Sequence, residues 1–256
     1  MNFEEGYDGK RRCEGGPGPA DPGRRRIDGR KLDELRPIQI QAGPLRQADG
    51  SAFVEWGANK VMAAVYGPRE VHPRHLQQND RAVIQCRYNM AAFSVDERKR
   101  PGLDRRSQEI SKAIGEAFQS VVFTEEFPRT SIDVYIEVLQ ANAGTRCAGL
   151  VAASVALADA GIPMVDLLPA VAVGKVAGAI ALDLKKEEDN FGESDLPMAL
   201  VPQSGRLVLL QMEGHMSEEE LGTALDLGVA GCRDIYEKMK AALRARYAVT
   251  PMEASP

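Results

Sequence analysis

Short apolar segments separated by turn residues dominate the first half of the chain, and this pattern is typical of β-strands. Turn residues Gly57-Ala58-Asn59 join two of these segments and predict a hairpin. The polar, proline-containing stretch 67–81 and the charged stretch 94–105 predict loops. The predicted strands of this half are 37–40, 52–56, 61–66, 83–93 and 132–139.

Apolar residues then recur at helical spacing in three places. Asp104 is placed to cap the first helix, whose apolar face carries Ile110, Ile114, Phe118 and Val121. The alanine-rich segment 146–160 predicts a second helix that ends before Gly161. Ser217-Glu218-Glu219-Glu220 is a capping box, which predicts the start of a long final helix.

The second half contains two further predicted hairpins. Segments 171–176 and 179–184 form one, and segments 198–201 and 207–212 form the other. Strands outnumber helices and are joined by short turns, which favours an α+β fold with mixed sheets and helices packed on them. Each half pairs a hairpin with a later long helix, so a duplicated unit is one interpretation, although no clear repeat supports it.

Composition narrows the function classes. The 256 residues carry a net charge of −5, which argues against a surface that grips nucleic acid everywhere. Aromatic residues make up only 5%, so a large stacking platform for single strands is not expected. Four widely spaced cysteines fit a reducing cytoplasm, and no apolar run reaches the ~20 residues of a membrane span. We expect no membrane partner, a flexible extension over 1–26 and a short tail over 248–256.

The segment from Leu139 to Arg146 predicts an anion site. A strand runs into a tight turn at Gly144, and a helix follows. Thr145 is the expected N-cap, and free backbone N–H groups at the helix start attract anions. Arg146 adds a forked cation beside them. The alternative is an ordinary capped helix with a surface arginine.

Carboxylates cluster between Asp183 and Asp195. The stretch includes Glu188 and Asp189 and is expected to be a loop with Gly192 after a strand. Like charges repel unless a cation binds or one group holds a proton. Mg²⁺ needs only one or two protein carboxylates when a phosphate supplies other ligands. The alternative is a solvated acidic loop.

Two basic segments are further candidates. Five basic residues lie between Arg98 and Arg106, where arginine forks could hold phosphates. His72-Pro73-Arg74-His75 favours contact with an anionic polymer over a metal site. The arginine segment could equally be a mobile surface loop, and a purely structural loop is the default interpretation of the histidine segment. Taken together, the anion-friendly segments and the acidic stretch suit an enzyme that handles phosphates with a divalent metal.

At these residues the sequence resembles the RNase PH family. The similarity runs from about residue 27 to about residue 247. Within the family, His72-Pro73-Arg74-His75 and Ala158-Asp159-Ala160-Gly161 are most similar to the catalytic subunit of the archaeal exosome, with bacterial RNase PH as the alternative. The motifs that carry the resemblance are Ile27-Asp28-Gly29-Arg30, Asp49-Gly50-Ser51-Ala52, Arg106-Ser107-Gln108-Glu109-Ile110, Leu139 to Arg146, and Glu188-Asp189 with Glu193-Ser194-Asp195.

The resemblance implies a duplicated β-α unit of the ribosomal protein S5 domain 2-like kind, arranged as a six-membered ring. It also implies 3′→5′ phosphorolysis of single-stranded RNA, in which inorganic phosphate releases nucleoside diphosphates; the reverse reaction adds tails. The expected partners are an inactive RNase PH-like paralogue in the ring and RNA-binding cap subunits. Two other hypotheses stay open: a homohexameric enzyme acting on tRNA ends, and a non-catalytic subunit that positions RNA.

The same resemblance assigns expected roles to individual residues. Gly144, Thr145, Arg146 and Arg106 would bind the attacking phosphate. Asp195 would be the main catalytic carboxylate, as a ligand of Mg²⁺ (or Mn²⁺) or as general acid, and Asp189 would support it through the metal. The residues expected to contact RNA are Arg74, His75, Arg105 and Arg106.

Overall fold

The computed structural model describes residues 26–102 and 104–248. The strands are β1 (Ile38–Ala42), β2 (Gly50–Trp56), β3 (Asn59–Glu70), β4 (Val83–Met90), β5 (Thr130–Gln140), β6 (Ala170–Val176), β7 (Ala179–Leu182), β8 (Ser194–Val201), β9 (Arg206–Leu210) and β10 (Glu213–Gly214). The helices are α1 (Arg105–Gln119), α2 (Thr145–Asp159), α3 (Lys186–Phe191) and α4 (Glu218–Tyr247). Short 3-10 turns cover Arg74–Leu76 and Thr124–Glu126.

The first half of the chain forms a five-stranded mixed sheet in the order β1-β2-β3-β5-β4. All neighbours are antiparallel except β4 and β5, which run parallel because α1 carries the chain back between them. The ends of β4 and β5 therefore lie at the same edge of the sheet. The start of α1 and the start of α2 both follow that edge in the chain.

The second half forms a smaller sheet around β8. Strand β8 pairs with β6 on one side, and with β10 and then β9 on the other. Strand β7 pairs with β6 as the predicted hairpin partner. The α+β class is confirmed: the first sheet is mixed, whereas all described strand pairs of the second sheet are antiparallel.

Helix α2 lies at the centre of the core and contacts strands of both sheets. Twelve of its fifteen residues are buried, and most of them are small or aliphatic. A helix that is apolar on nearly all sides is stable only when protein surrounds it. The N-terminus of α2 is thereby held in one position relative to both sheets.

The capping predictions for α1 and α4 are confirmed, and two loop predictions need correction. Asp104 accepts a hydrogen bond from the backbone N–H of Ser107, and Ser217 forms the capping box of α4. Strand β3 extends to Glu70 into the stretch predicted as loop. The acidic segment contains the short helix α3, because Glu188 caps it by accepting from the backbone N–H of Lys185.

The chain termini are only partly described. Residues 1–25 and 249–256 lie outside the described residues, so the predicted extension and tail are untested there. Arg26, placed in the flexible extension by the sequence, is instead buried against Glu188, because burial of that carboxylate favours a paired cation. Among the described residues, no helix combines the length and apolarity that a membrane span requires.

Two glycines test how closely the elements pack. A Cβ on Gly50 would lie 2.3 Å from the carbonyl oxygen of Ala156 in α2, whereas one on Gly222 would meet nothing within 4 Å. We expect Gly50→Ala to destabilise the protein by about 2 kcal/mol or more, because backbone cannot move aside easily. Gly222→Ala should stabilise it by roughly 0.5–1 kcal/mol through helix propensity. Urea unfolding of both variants measures this; equal effects would contradict the packing of β2 on α2.

Candidate active site

The turn between β5 and α2 has the left-handed backbone that an anion-binding loop requires. Ala143 has φ of 53° and Gly144 has φ of 67°, and α2 begins at Thr145. Gly144 is the N-cap, so the prediction that Thr145 caps the helix is wrong. The glycine takes this position because its backbone is left-handed, and its missing side chain leaves the N–H groups of the first turn uncapped.

Thr145 instead contacts the neighbouring strand. The buried Tyr88 hydroxyl donates a 2.8 Å hydrogen bond to Thr145 Oγ1. Burial raises the pKa of Tyr88, so the phenol stays protonated and remains a donor at neutral pH. The Thr145 hydroxyl is thereby left free to donate its own proton to an incoming anion.

Arg146 lies in the first turn of α2 with a side chain that is only 13% exposed. Its guanidinium donates to Oε1 of Gln211 and lies 3.9 Å from Glu109 Oε1. Because Gln211 is neutral and Glu109 is distant, these two partners leave most of the positive charge of Arg146 uncompensated. The positive end of the helix dipole adds to the same electropositive surface.

The start of α1 places two more arginines beside this turn. Lys99 and Ser107 bind Asp104 and lower the pKa of its carboxyl, so the helix cap stays ionised. Arg105 and Arg106 follow in the exposed first turn. Arg106 is close enough to act electrostatically on both Tyr88 and Asp189.

Most carboxylates of the acidic stretch have structural partners. Asp183 is ion-paired with Arg36 at 2.6 Å, and Glu188 accepts a 2.9 Å hydrogen bond from Arg26 Nε. Glu193 lies 3.2 Å from Lys175 and also accepts from the backbone N–H of Gly178. These pairings separate the structural carboxylates from Asp189 and Asp195.

Asp195 is the unsatisfied carboxylate of this group. It lies near the start of β8, not in the predicted loop, and its Oδ1 is buried without a hydrogen-bond partner. Burial, and then the negative charge of Asp189, raise its pKa to about 6, although Arg146 opposes the shift. An orphaned, buried oxygen with a raised pKa is typical of a functional site.

Asp189 lies in α3, close enough to Asp195 to act on it electrostatically. Partial burial raises the pKa of its carboxyl, and Glu213 adds to this effect while Arg106 counteracts it. Asp189 is electrostatically coupled to both Asp195 and Arg106, so these predicted acidic and basic residues lie near one another.

Three residues of the site were missed by the sequence analysis. Glu213 pairs in register with Asp195 across β10 and β8, and Gln211 contacts Arg146. Tyr88 supports Thr145 from β4. The predicted hairpin over 198–212 could have placed Gln211 and Glu213 opposite the acidic segment, but no local signal marks Tyr88.

Two profiles of one protein family match most of the chain. The sequence profile of the 3′ exoribonuclease family, domain 1, matches residues 34–163, and that of domain 2 matches residues 166–231. The chain belongs to this family, the RNase PH family. Each domain of the family corresponds to one of the two sheets.

The curated RNase PH relatives include exosome complex component Rrp41 of Thermococcus onnurineus, 59% identical over 223 residues (87% of this chain, 90% of the relative). The Rrp41 of Methanopyrus kandleri is 60% identical over 222 residues (87% and 93%). Among solved structures, rice Rrp46 superposes with a TM-score of 0.78 at 26% identity (86% of this chain, 100% of that one). A chain of the Archaeoglobus fulgidus exosome with RNA bound to the active site shares the fold, with a TM-score of 0.73 at 24% identity (84% and 92%).

The candidate site contains carboxylates of the kind that a divalent metal prefers. The described residues include no group of three His, Cys, Asp or Glu side chains that could hold a metal alone. Mg²⁺ or Mn²⁺ needs only one or two protein carboxylates when phosphate oxygens complete the shell. The orphaned Oδ1 of Asp195 and the adjacent Asp189 fit such an ion.

Arg74 and His75 lie apart from the candidate site. Arg74 forms an ion pair with Glu70, a pair that the sequence analysis did not predict. Glu70 in turn pairs in register with Thr130 at the start of β5. The anion-binding turn follows the other end of that eleven-residue strand, roughly 33 Å away at about 3.3 Å per residue. The structure therefore does not bring Arg74 and His75 to the carboxylates.

The raised pKa of Asp195 predicts a pH-dependent cost in stability. Its folded-state pKa of about 6 exceeds the unfolded value of ~3.9, so the folded protein binds more protons between these values and loses stability as pH rises through them. Asp195→Asn should therefore be more stable than the wild type at pH 7.5, by on the order of 1–3 kcal/mol. This advantage should disappear below about pH 4.

Urea unfolding at both pH values measures this difference. Asp226→Asn, at an exposed position of α4, is the matched control and should change stability by less than ~0.5 kcal/mol at either pH. A destabilised Asp195→Asn at pH 7.5 would mean that Asp195 is structural.

Proposed function

We propose that this chain is the catalytic, phosphorolytic subunit of an exosome-type ring and degrades single-stranded RNA from its 3′ end. The observation that carries the proposal is the juxtaposition of Arg106 and Arg146 with the incompletely paired Asp189 and Asp195. Family membership supports 3′ exoribonuclease chemistry, and the Rrp41 relatives support an exosome setting.

The reaction is a phosphoryl transfer. An oxygen of inorganic phosphate attacks the phosphorus of the last phosphodiester and forms a P–O bond. The bond to the 3′-oxygen of the preceding nucleotide breaks, and that oxygen takes up a proton. The products are a nucleoside 5′-diphosphate and an RNA that is one nucleotide shorter.

The cationic residues bring two polyanions together. Inorganic phosphate binds at the start of α2, where Arg146, the Thr145 hydroxyl and the free N–H groups after Gly144 converge. Arg105 and Arg106 hold the scissile RNA phosphate from the start of α1. Charge that develops on the transferred phosphoryl group is stabilised by these fixed donors.

The carboxylates act on the leaving side. Asp189 and Asp195 would hold Mg²⁺ or Mn²⁺, which supplies electrostatic stabilisation of the leaving 3′-oxygen. Asp195 with a pKa of about 6 also exists partly protonated near neutral pH, so it fits the role of general acid equally. The two roles differ in pH profile: a general acid gives rates that fall above pH 6, whereas a metal ligand gives rates that rise.

The surface supports assembly. Leu207, Leu210 and Met212 along the outer edge of the second sheet are 40%, 46% and 48% exposed, and such apolar rows favour a protein interface. A ring with an RNase PH-like paralogue would cover them, and cap subunits would bind RNA above it. The cytoplasmic location stays a prediction.

A single assay tests the proposed function. The chain is purified alone and together with an RNase PH-like paralogue, sized by light scattering, and incubated with labelled single-stranded RNA, Mg²⁺ and either phosphate or none. We expect phosphate-dependent release of nucleoside diphosphates by a mixed ring. Equal degradation without phosphate, or monophosphate products, would contradict phosphorolysis, and a fully active homohexamer would favour the tRNA-trimming alternative.

Arg146→Ala should reduce kcat/KM for phosphate by about 100-fold or more, because a charge-assisted donor to the reacting phosphate is lost. Ring assembly should be unchanged. Arg233→Ala, at an exposed position of α4, is the control. Loss of assembly in Arg146→Ala would show that this arginine is structural.

The distance of Arg74 from the carboxylates predicts a dependence on RNA length. Arg74→Ala should raise KM for long single strands by roughly 3–10-fold, because phosphate contacts far from the reaction only add binding. It should leave KM for short oligonucleotides unchanged, whereas Arg105→Ala should raise KM for both long and short RNA. Steady-state kinetics over a series of lengths measures this, and an equal effect of Arg74→Ala at all lengths would contradict the geometry.

A further inference from the structure

A buried arginine links the two halves of the candidate site. Arg36 Nη1 donates a 2.5 Å hydrogen bond to the carbonyl oxygen of Asn142, in the turn before α2. Its Nε and Nη2 donate to the two carboxylate oxygens of Asp183 at 3.0 and 2.6 Å. The same guanidinium therefore contacts the anion-binding turn and the segment that leads into α3.

Two of the residues that accept hydrogen bonds from Arg36, Ala143 and Asp183, have unusual backbone conformations. Ala143, the next residue of the turn, and Asp183 have φ values of 53° and 57°. Residues with side chains persist in this region only when their surroundings hold them there. The Ala143 carbonyl accepts from Asn59 Nδ2 at 2.6 Å and from Arg36 Nη2 at 3.4 Å.

Asp183 is fully occupied by its neighbours. Oδ2 accepts from the backbone N–H of Arg36 at 2.8 Å and from the indole of Trp56 at 2.9 Å, in addition to the ion pair. Both charged groups are buried, so removal of one partner leaves an uncompensated charge. The two side chains are only 6% and 3% exposed, so neither is open to RNA.

Two neighbouring arginines contact the acidic segment. Arg26 and Arg30 donate to the Asp183 carbonyl oxygen at 2.9 and 3.2 Å, and Arg26 also binds Glu188 in α3. Their described contacts do not include the turn at 142–144. Arg36 therefore differs from them in bridging both sides.

We propose that Arg36 is a positioning residue: through its bidentate pair with Asp183 it holds the turn at Asn142–Gly144 in its phosphate-binding conformation and in register with the acidic segment. The inference rests on the proposed function, because it takes phosphate to be the ligand of this turn. Loosening the turn costs affinity for phosphate, since the backbone N–H groups and Arg146 no longer converge on one point.

The test uses Asp183→Asn and Arg36→Lys in the assembled, active complex. Asp183→Asn keeps the size of the side chain but removes its charge, and Arg36→Lys keeps the charge but removes the fork. We expect KM for phosphate to rise about tenfold or more in each, with KM for RNA within about twofold of the wild type. The double variant should be little worse than the worse single variant, because both disrupt one contact.

A purely structural role gives a different result. Fewer folded molecules would lower the apparent kcat and leave KM for phosphate unchanged. Arg206→Lys is the control, because Arg206 also links the two halves, by donating to the Ser120 carbonyl oxygen at 2.7 Å, but lies outside the site. The emission of Trp56, the sole tryptophan, reports whether the packing around Asp183 is retained.

The remaining outcomes are also decisive. If Asp183→Asn or Arg36→Lys fails to fold, Trp56→Phe takes its place. This substitution removes one hydrogen bond from Asp183 and leaves the ion pair. We expect it to shift KM for phosphate in the same direction by a smaller factor. Unchanged phosphate KM in every folded variant overturns the positioning role. Degradation by the wild type without phosphate overturns the proposed function instead.

Discussion

The buried ion pair between Arg36 and Asp183 is the contact on which the geometry of the site depends. The proposed phosphate-binding turn follows the last strand of the first sheet, whereas Asp189 and Asp195 lie in α3 and β8 of the second half. Because Arg36 donates to both sides, separating the halves would expose or isolate a charge, which is strongly unfavourable. Helix α2, packed against both sheets, supplies the apolar part of the same junction.

Charges around the junction fall into two groups, and the division explains the chemistry. Asp183 and Glu188 are buried with arginine partners and stabilise the fold. Asp195 is left without a partner for one oxygen and has a raised pKa, which costs stability. An unpaired group that lowers stability is typical of a ligand-binding site, because the bound ligand supplies the partner that the protein lacks.

Local sequence was sufficient for much of the fold, and charge clusters together with the family resemblance supplied the candidate site residues. Helix starts at Asp104 and Ser217 followed from capping chemistry, and the turn at Gly144 from its need for a left-handed backbone. Thr145 was misassigned as a cap because a threonine before a helix usually is one, whereas here Tyr88 engages its hydroxyl. The α3 segment was missed because its six residues make fewer than two helical turns and include one apolar side chain, which is too little to show a repeating apolar pattern.

Hydrophobic spacing, caps and turn residues determined the α+β class, because these signals act within a few residues of the chain. Clusters of charge together with the family resemblance supplied the candidate residues Arg106, Arg146 and Asp195. Tertiary structure decided which charges stay available. Whether an aspartate is paired depends on residues more than a hundred positions away, as Arg36 and Asp183 are. Pairing, burial and pKa are set by three-dimensional distance, and a linear pattern of residue types does not contain that distance.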